Sequence, residues 1–303
     1  MNVMTVRGPV DANQLGVTLT HEHLLIDLYR VTSIGDHLLD DPEIAIEELR
    51  PFKEAGGRSL VDLTSEGLRR DPLALRHISE ESDVHVIMGG GWYRQPFYPE
   101  YINTQPTNAL ADYLVKEIED GVEDTGIRPG VLGEVGTEKD RFTPAMERVF
   151  RAIARAHRRT GLPIFTHTSA GTLGEEQLDL LEEEKVDLRR VVIGHADGKM
   201  NHNYHAALAR RGAYVGFDRI GRPLIGPDHR HVSAIMDMAK AGLLEHVLIS
   251  QNVTKKSNLH YFGGEGYDYV LTVFVPQLKE AGLADEQINT LLVDNPRRVL
   301  AGV

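Results

Sequence analysis

The chain has 303 residues, 41% of them hydrophobic and 26% charged, with 45 acidic side chains against 33 basic ones and a formal net charge of -12. This balance argues against a nucleic-acid backbone as partner, and no Lys/Arg stripe alternates with aromatic residues. The chain has no cysteine, so it needs no disulfide and any metal must use nitrogen and oxygen ligands. No apolar run approaches the roughly 18 residues of a membrane span, and MNVMTVRGPV lacks a signal-peptide pattern; no membrane partner and a cytoplasmic location are expected.

Short β-branched runs alternate with segments of helical period. The first strand is expected in GVTLTHEHLLID (16–27), followed by a helix over 42–54 that Pro51 threatens to break. Strand 59–65 leads into a helix with Asp71 as cap and Pro72 at its first position. Strand 84–90 opens into an aromatic, proline-bearing loop, GWYRQPFYPEYI (91–102), too long for a simple connection and a candidate substrate contact through Trp92 and Tyr93. Helix 108–120 and strand 130–136 follow. Thr143-Pro144 then opens a strongly periodic helix that Gly161 ends. Strands at 162–169, 190–197, 213–220 and 246–252 complete the series, with helices between them and after the last. Eight strand–helix alternations match an α/β fold of the (β/α)8 TIM-barrel type, and no composition break divides residues 1–303 into more than one domain. A doubly wound sheet fits less well, because no glycine-rich phosphate fingerprint follows the first strand.

In such a barrel the C-terminal strand ends share one mouth. His21 and His23 sit there two residues apart, a spacing that puts both on one face of a strand, with Glu22 out of phase. The fourth strand brings Glu134, the fifth His167, the sixth His195 with Asp197, the seventh Asp218 with Arg219, and the eighth Asn252. Four of the fourteen histidines thus join a carboxylate, whereas His157, His202, His205 and His229 lie in helical, charged surroundings and read as surface. Imidazole suits zinc and other late first-row metals, and a carboxylate such as Glu134 can bridge two ions. Two ions sharing a water lower its pKa and polarise an electrophilic oxygen, which points to hydrolysis of an ester-like bond without choosing the electrophile.

Taken together, TLTHEHLLID, VLGEVG, FTHTSAG, VVIGHAD, GAYVGFD, LISQN and VDNPRRVL resemble the phosphotriesterase-like branch of the amidohydrolase superfamily, in order from about residue 6 to residue 301. The resemblance implies a (β/α)8 barrel with two divalent ions, zinc first and Mn2+, Co2+ or Fe2+ as substitutes, in a homodimer acting on a small molecule. It places His21 and His23 on the more buried ion, His167 and His195 on the more exposed one, and Glu134 between them, where the best-known members carry a carbamylated lysine. It also implies a lactone or related carboxyl ester as substrate; the alternatives are phosphotriester hydrolysis, amide hydrolysis, or catalytically impaired metal-dependent ligand binding. Asn252 departs from the family, which has at this strand end an aspartate that binds metal and takes up the proton. Asparagine can present a neutral oxygen but cannot serve as that base, so weakened turnover is expected. The residue marks either natural divergence or a deliberate inactivating substitution. In lactonase members a tyrosine at the place of Tyr93 faces the metals, and some members have a proton-relaying histidine where this chain has Arg219. With Lys255 and Lys256, Arg219 is the expected contact for an anionic substituent.

Overall fold

The computed structural model describes residues 1–222 and 226–302; Val303, the last residue of the expected domain, lies outside the described residues. Eight parallel strands form the sheet: β1 (Val17–Glu22), β2 (Gly57–Asp62), β3 (His85–Gly90), β4 (Val131–Thr137), β5 (Ile164–Thr168), β6 (Val191–Gly194), β7 (Tyr214–Phe217) and β8 (Val247–Ile249). Each pairs with the next in sequence order. Helices α1 (Pro42–Glu54), α2 (Pro72–Ser82), α3 (Thr107–Asp120), α4 (Pro144–Thr160), α5 (Gly174–Glu183), α6 (His202–Arg210) and α7 (Asp228–Lys240) fill the connections, and short helices follow β8. This is the (β/α)8 barrel, nearly closed.

Period-two alternation builds two apolar layers from the same strands. Leu60, Val86, Leu132, Ile164, Ile193, Val215 and Val247 face the helices. Their neighbours Val61, Ile87, Val131, Phe165, Val192, Tyr214 and Leu248 fill the barrel interior, where they meet Val3, Ala12 and Leu15. Those last residues come from an N-terminal hairpin, Asn2–Thr5 with Gly8–Asp11, and the turn after it. The hairpin strands are only four residues long and were not legible from pattern. Stepping two or four residues along a strand from this inner layer gives the residues of the mouth: Phe165 leads to His167, Tyr214 to Asp218, and Leu248 to Ser250 and Asn252.

Local chemistry explains the helix bounds. The Asp71 carboxylate accepts from the Ala74 N–H at 3.0 Å and the Thr143 hydroxyl accepts from Met146 N–H at 3.2 Å, while Gly161 takes φ 74 at the end of α4. Pro51 does not break α1. It sits in the last turn, and its carbonyl still accepts from Ala55 N–H at 2.9 Å.

The seam between β8 and β1 has no regular ladder and is held by side chains together with a backbone bond. His21 N–H donates to Ser250 Oγ at 3.0 Å and Asn252 N–H to the His21 carbonyl at 3.1 Å. The fully buried Glu22 carboxylate accepts from Ser250 Oγ–H, Gln251 N–H and Val253 N–H at 2.7, 2.7 and 2.8 Å. Glu22 is thus turned away from its flanking histidines and tethers the segment that carries Asn252. No helix among the described residues is long and apolar enough to cross a membrane.

Candidate metal centre

Glu134 lies at the centre of the mouth. His167 Nδ1, His195 Nε2 and His21 Nε2 lie 2.7, 3.3 and 3.4 Å from its Oε1, and His23 Nε2 lies 4.0 Å from its Oε2. All five side chains are buried. Close approach depends on the flanking glycines: a Cβ at Gly136 would sit 2.9 Å from the Cβ of His167, and one at Gly133 would overlap the Phe165 carbonyl.

A second carboxylate, Asp218, expected at the seventh strand end but given no metal-site role by the sequence, braces the opposite edges of two rings. Asp218 Oδ1 accepts from His195 Nδ1 at 2.6 Å, and Asp218 Oδ2 lies 3.0 Å from His21 Nδ1. The His21 and His195 rings stack at 4.6 Å between Asp218 and Glu134. At 2.6 to 3.0 Å the Asp218 contacts are hydrogen bonds that orient imidazoles; outer carboxylates of this kind hold ring tautomers and raise ligand basicity. The other two histidines find hydroxyls: Thr64 Oγ1 lies 2.9 Å from His23 Nδ1, and Ser169 Oγ lies 3.3 Å from His167 Nε2.

The residues present fit divalent ions. Two ligand atoms about 2.1 Å from one tetrahedral ion lie about 3.4 Å apart, which is the spacing of His21 and His195 from Glu134. His21, His23 and Glu134 form one cluster with ligand atoms close enough to share an ion, and Glu134, His167 and His195 form another. His21 Nε2 and Asn252 Oδ1 are buried with no hydrogen-bond partner among the described residues, as expected of atoms whose partner is a cation. Asn252 reaches the cluster with Nδ2 3.4 Å from His195 Nε2.

The electrostatics agree. Burial lowers His23 and His167 to about 3, so both are neutral and able to ligate. Burial would also lower His21, but Asp218 and Glu134 overcome it and raise His21 to about 10 in the metal-free protein. Burial opposes the ionisation of Glu134, yet the surrounding histidines, His167 and His21 foremost, hold its carboxyl well below the usual range. Because a proton on His21 competes with metal at every pH below about 10, metal affinity should rise with pH. Calorimetric zinc titration of the chelator-stripped protein at pH 7, in buffers of different ionisation enthalpy, is expected to show release of at least one proton per centre; binding without proton release would contradict the assignment.

Tyr93 is buried beside the centre, its ring 4.9 Å from that of His167 in an edge contact. Burial and the Glu134 charge push its phenol up, so it keeps its proton. The other expected substrate contacts are placed elsewhere. Trp92 is fully buried, donates Nε1–H to Glu66 and Tyr101, and stacks on Tyr113; it anchors its loop to α3. Arg219 donates Nε–H and Nη2–H to the buried Asp197 at 2.9 and 2.7 Å, and Asp197 also pairs with the buried His231 at 3.1 Å. Lys256 faces Asp40 at 3.9 Å and Lys255 lies near Asp36. Arg219 Nη2–H also donates to the His195 backbone carbonyl at 3.3 Å. Arg219→Ala should therefore cost stability, about 3 kcal/mol by urea unfolding, because it strands a buried carboxylate. A loss below about 1 kcal/mol with a KM effect confined to anionic substrates would return Arg219 to a substrate-binding role.

Two histidines expected at the surface are core residues instead. His157 Nδ1 bonds the Leu162 carbonyl at 2.7 Å and His205 Nε2 bonds the Ala196 carbonyl at 3.1 Å, so helix packing buries them as satisfied polar groups.

The chain also resembles known proteins along nearly its whole length. It is 38% identical to the phosphotriesterase homology protein of Escherichia coli over 281 residues, covering 93% of this chain and 96% of that protein. A crystal structure of that protein with phosphate in its active site superposes with a TM-score of 0.93 at 37% identity, covering 95% of this chain and 99% of the other. A lactonase from Listeria monocytogenes gives a TM-score of 0.94 at 29% identity, with 99% of each chain covered. The family model for phosphotriesterases matches residues 1–300. With its buried histidines gathered on one glutamate at the mouth of the barrel, the chain belongs to the phosphotriesterase family.

Proposed function

We propose that the chain is a zinc-dependent hydrolase of a lactone or related carboxyl ester, a cytoplasmic homodimer whose turnover is held down by Asn252. The observation that carries this reading is the convergence of four histidine nitrogens on Glu134, with Asn252 Oδ1 buried and without a hydrogen-bond partner among the described residues. When bound, a pair of divalent ions supplies a water of lowered pKa and a charge that polarises the scissile carbonyl. The chain's own residues do the rest. His21 and His23 with Glu134 would hold one ion, and His167 and His195 with Glu134 the other. Tyr93, protonated and in edge contact with His167, supports donation toward the ester oxygen as it gains charge. Asn252 offers a neutral amide oxygen and takes up no proton.

A cavity of about 690 Å³ flanks the seam, lined by Arg222, Asp228, Gln251, Asn258 and Tyr269 among others; the centre's histidines, Glu134, Asn252 and Tyr93 are not among its lining residues. Phosphotriester hydrolysis is the second reading. What favours it is the E. coli relative, whose structure holds phosphate in its active site; the same centre serves a phosphoryl oxygen as well as a carbonyl. A panel of lactones, esters, amides and phosphotriesters on the zinc-loaded protein separates the readings. Tyr93→Phe is expected to lower lactone turnover about 100-fold; an unchanged lactone rate, with phosphotriesters hydrolysed faster, would reverse the ranking.

A further inference from the structure

The tautomer of His23 can be settled by counting protons. A neutral imidazole has one N–H and one lone pair, and which nitrogen carries the proton is set by the partner of the other. His23 Nδ1 lies 2.9 Å from Thr64 Oγ1. A hydroxyl has a single proton to give, and Thr64 Oγ1–H donates to the Leu25 carbonyl at 2.9 Å. The hydroxyl therefore meets His23 as an acceptor, and Nδ1 must be the protonated nitrogen. Nε2 is left with its lone pair facing Glu134 Oε2 at 4.0 Å, too far for a direct hydrogen bond and open to an ion.

Thr64 is itself held from behind. The Asp62 carboxylate, fully buried at the end of β2, accepts from Thr64 N–H at 2.9 Å and from Leu24 N–H at 2.7 Å. One carboxylate thus binds both the residue carrying the hydroxyl and the residue next to His23. Tyr267 O–H adds a further tie by donating to the His23 carbonyl at 2.7 Å. His167 differs. Its Nδ1 sits 2.7 Å from Glu134 Oε1, and its other contact, to Ser169 Oγ, is 3.3 Å. Without an ion the stronger partner of His167 is Glu134 itself, so its metal-facing nitrogen is engaged while that of His23 is free.

We propose that Thr64, fixed by Asp62 and the Leu25 carbonyl, is a positioning residue that presets His23 as its Nδ1–H tautomer, with Nε2 presented to the buried metal position before any ion arrives. The inference rests on the two-metal reading for its functional meaning. The tautomer itself is a property of the metal-free chain and can be read without it.

The experiment uses full-length protein with ring-labelled histidine. Two-bond proton–nitrogen correlation spectra of the chelator-stripped protein at neutral pH identify the protonated nitrogen of each neutral ring. The expected result is that His23, assigned by its disappearance in His23→Gln, shows Nδ1–H in the wild type and in Thr64→Ser. In Thr64→Val, which removes the acceptor while nearly keeping the volume, that signature is lost. The affinity for one of two zinc ions, measured by chelator competition, should then fall about 10–100-fold and recover in Thr64→Ser. An Nε2–H signature for His23 in the wild type overturns the proposal, and so does an unchanged tautomer and zinc affinity in Thr64→Val. If Thr64→Val does not fold, the wild-type and Thr64→Ser spectra decide. Failure of the wild type to bind zinc, with His23 still Nδ1–H, would instead overturn the two-metal reading.

Discussion

Asn252→Asp is expected to raise turnover of the zinc-loaded protein on its best ester or lactone by about 10²- to 10⁴-fold, the usual worth of a positioned general base. The backbone at this residue is fixed independently of its side chain. Its N–H donates to the His21 carbonyl at 3.1 Å, its carbonyl accepts from the Arg222 guanidinium, and its φ is 53. A carboxylate introduced there would take the place now held by an amide whose Oδ1 is buried without a partner among the described residues and whose Nδ2 is 3.4 Å from His195 Nε2. No other carboxylate at the centre is available for the task. Glu134 is ringed by four histidines, and Asp218 is committed to His195 and His21. Steady-state kinetics on both forms, at confirmed metal content, provide the comparison. Equal rates would show that proton uptake does not depend on position 252. Tight ligand binding with two ions present and no turnover in either form would favour a metal-dependent binding protein over an enzyme.

The second large effect is expected at Glu134. In Glu134→Gln, which keeps the shape and removes the charge, zinc content should drop from two ions per chain to one or fewer, with affinity reduced by more than about 100-fold. Loss of a residue that merely supports a ligand already costs 10–100-fold, and Glu134 would contact both ions. Hydrolysis should disappear with the metal. The physical reason is charge as much as geometry. In the native cluster the carboxylate lies within 3.4 Å of three imidazole nitrogens in a buried site, and an amide would leave two cations there without a bridging anion. Elemental analysis after dialysis, with circular dichroism to confirm folding, tests this. A folded Glu134→Gln protein retaining both ions at wild-type affinity would remove Glu134 from the bridging position.

The strand ends were readable because strand geometry is local. Two-residue spacing places His21 and His23 on one face toward Glu134, and the inner-layer periodicity that brings Phe165 into the core brings His167 to the mouth. Caps were readable for the same reason: Asp71, Thr143 and Gly161 act within one helical turn. Trp92 was misplaced because a loop residue's direction depends on its partners, here Glu66 and Tyr113, and neither is set by the local sequence. His157 and His205 looked exposed because a charged helix can still turn one polar side chain inward when a carbonyl waits for it.

The sequence by itself determined the alternation of strands and helices, the barrel, and the presence of four histidines, a glutamate and an asparagine at one mouth. The tertiary structure decided which partner stands behind each ligand. Asp218 directly follows β7 and His21 lies on β1, and Asp62 and Thr64 come from β2 and the turn after it. These groups meet only after the barrel nearly closes and fixes the register between strands. Arg219 shows the same limit in reverse: its charge is visible in the sequence, but only packing reveals that Asp197 takes it up. Chemistry that depends on residue type and short spacing is written locally, whereas hydrogen-bond partners, protonation and burial depend on contacts between distant segments, which exist only in the folded chain.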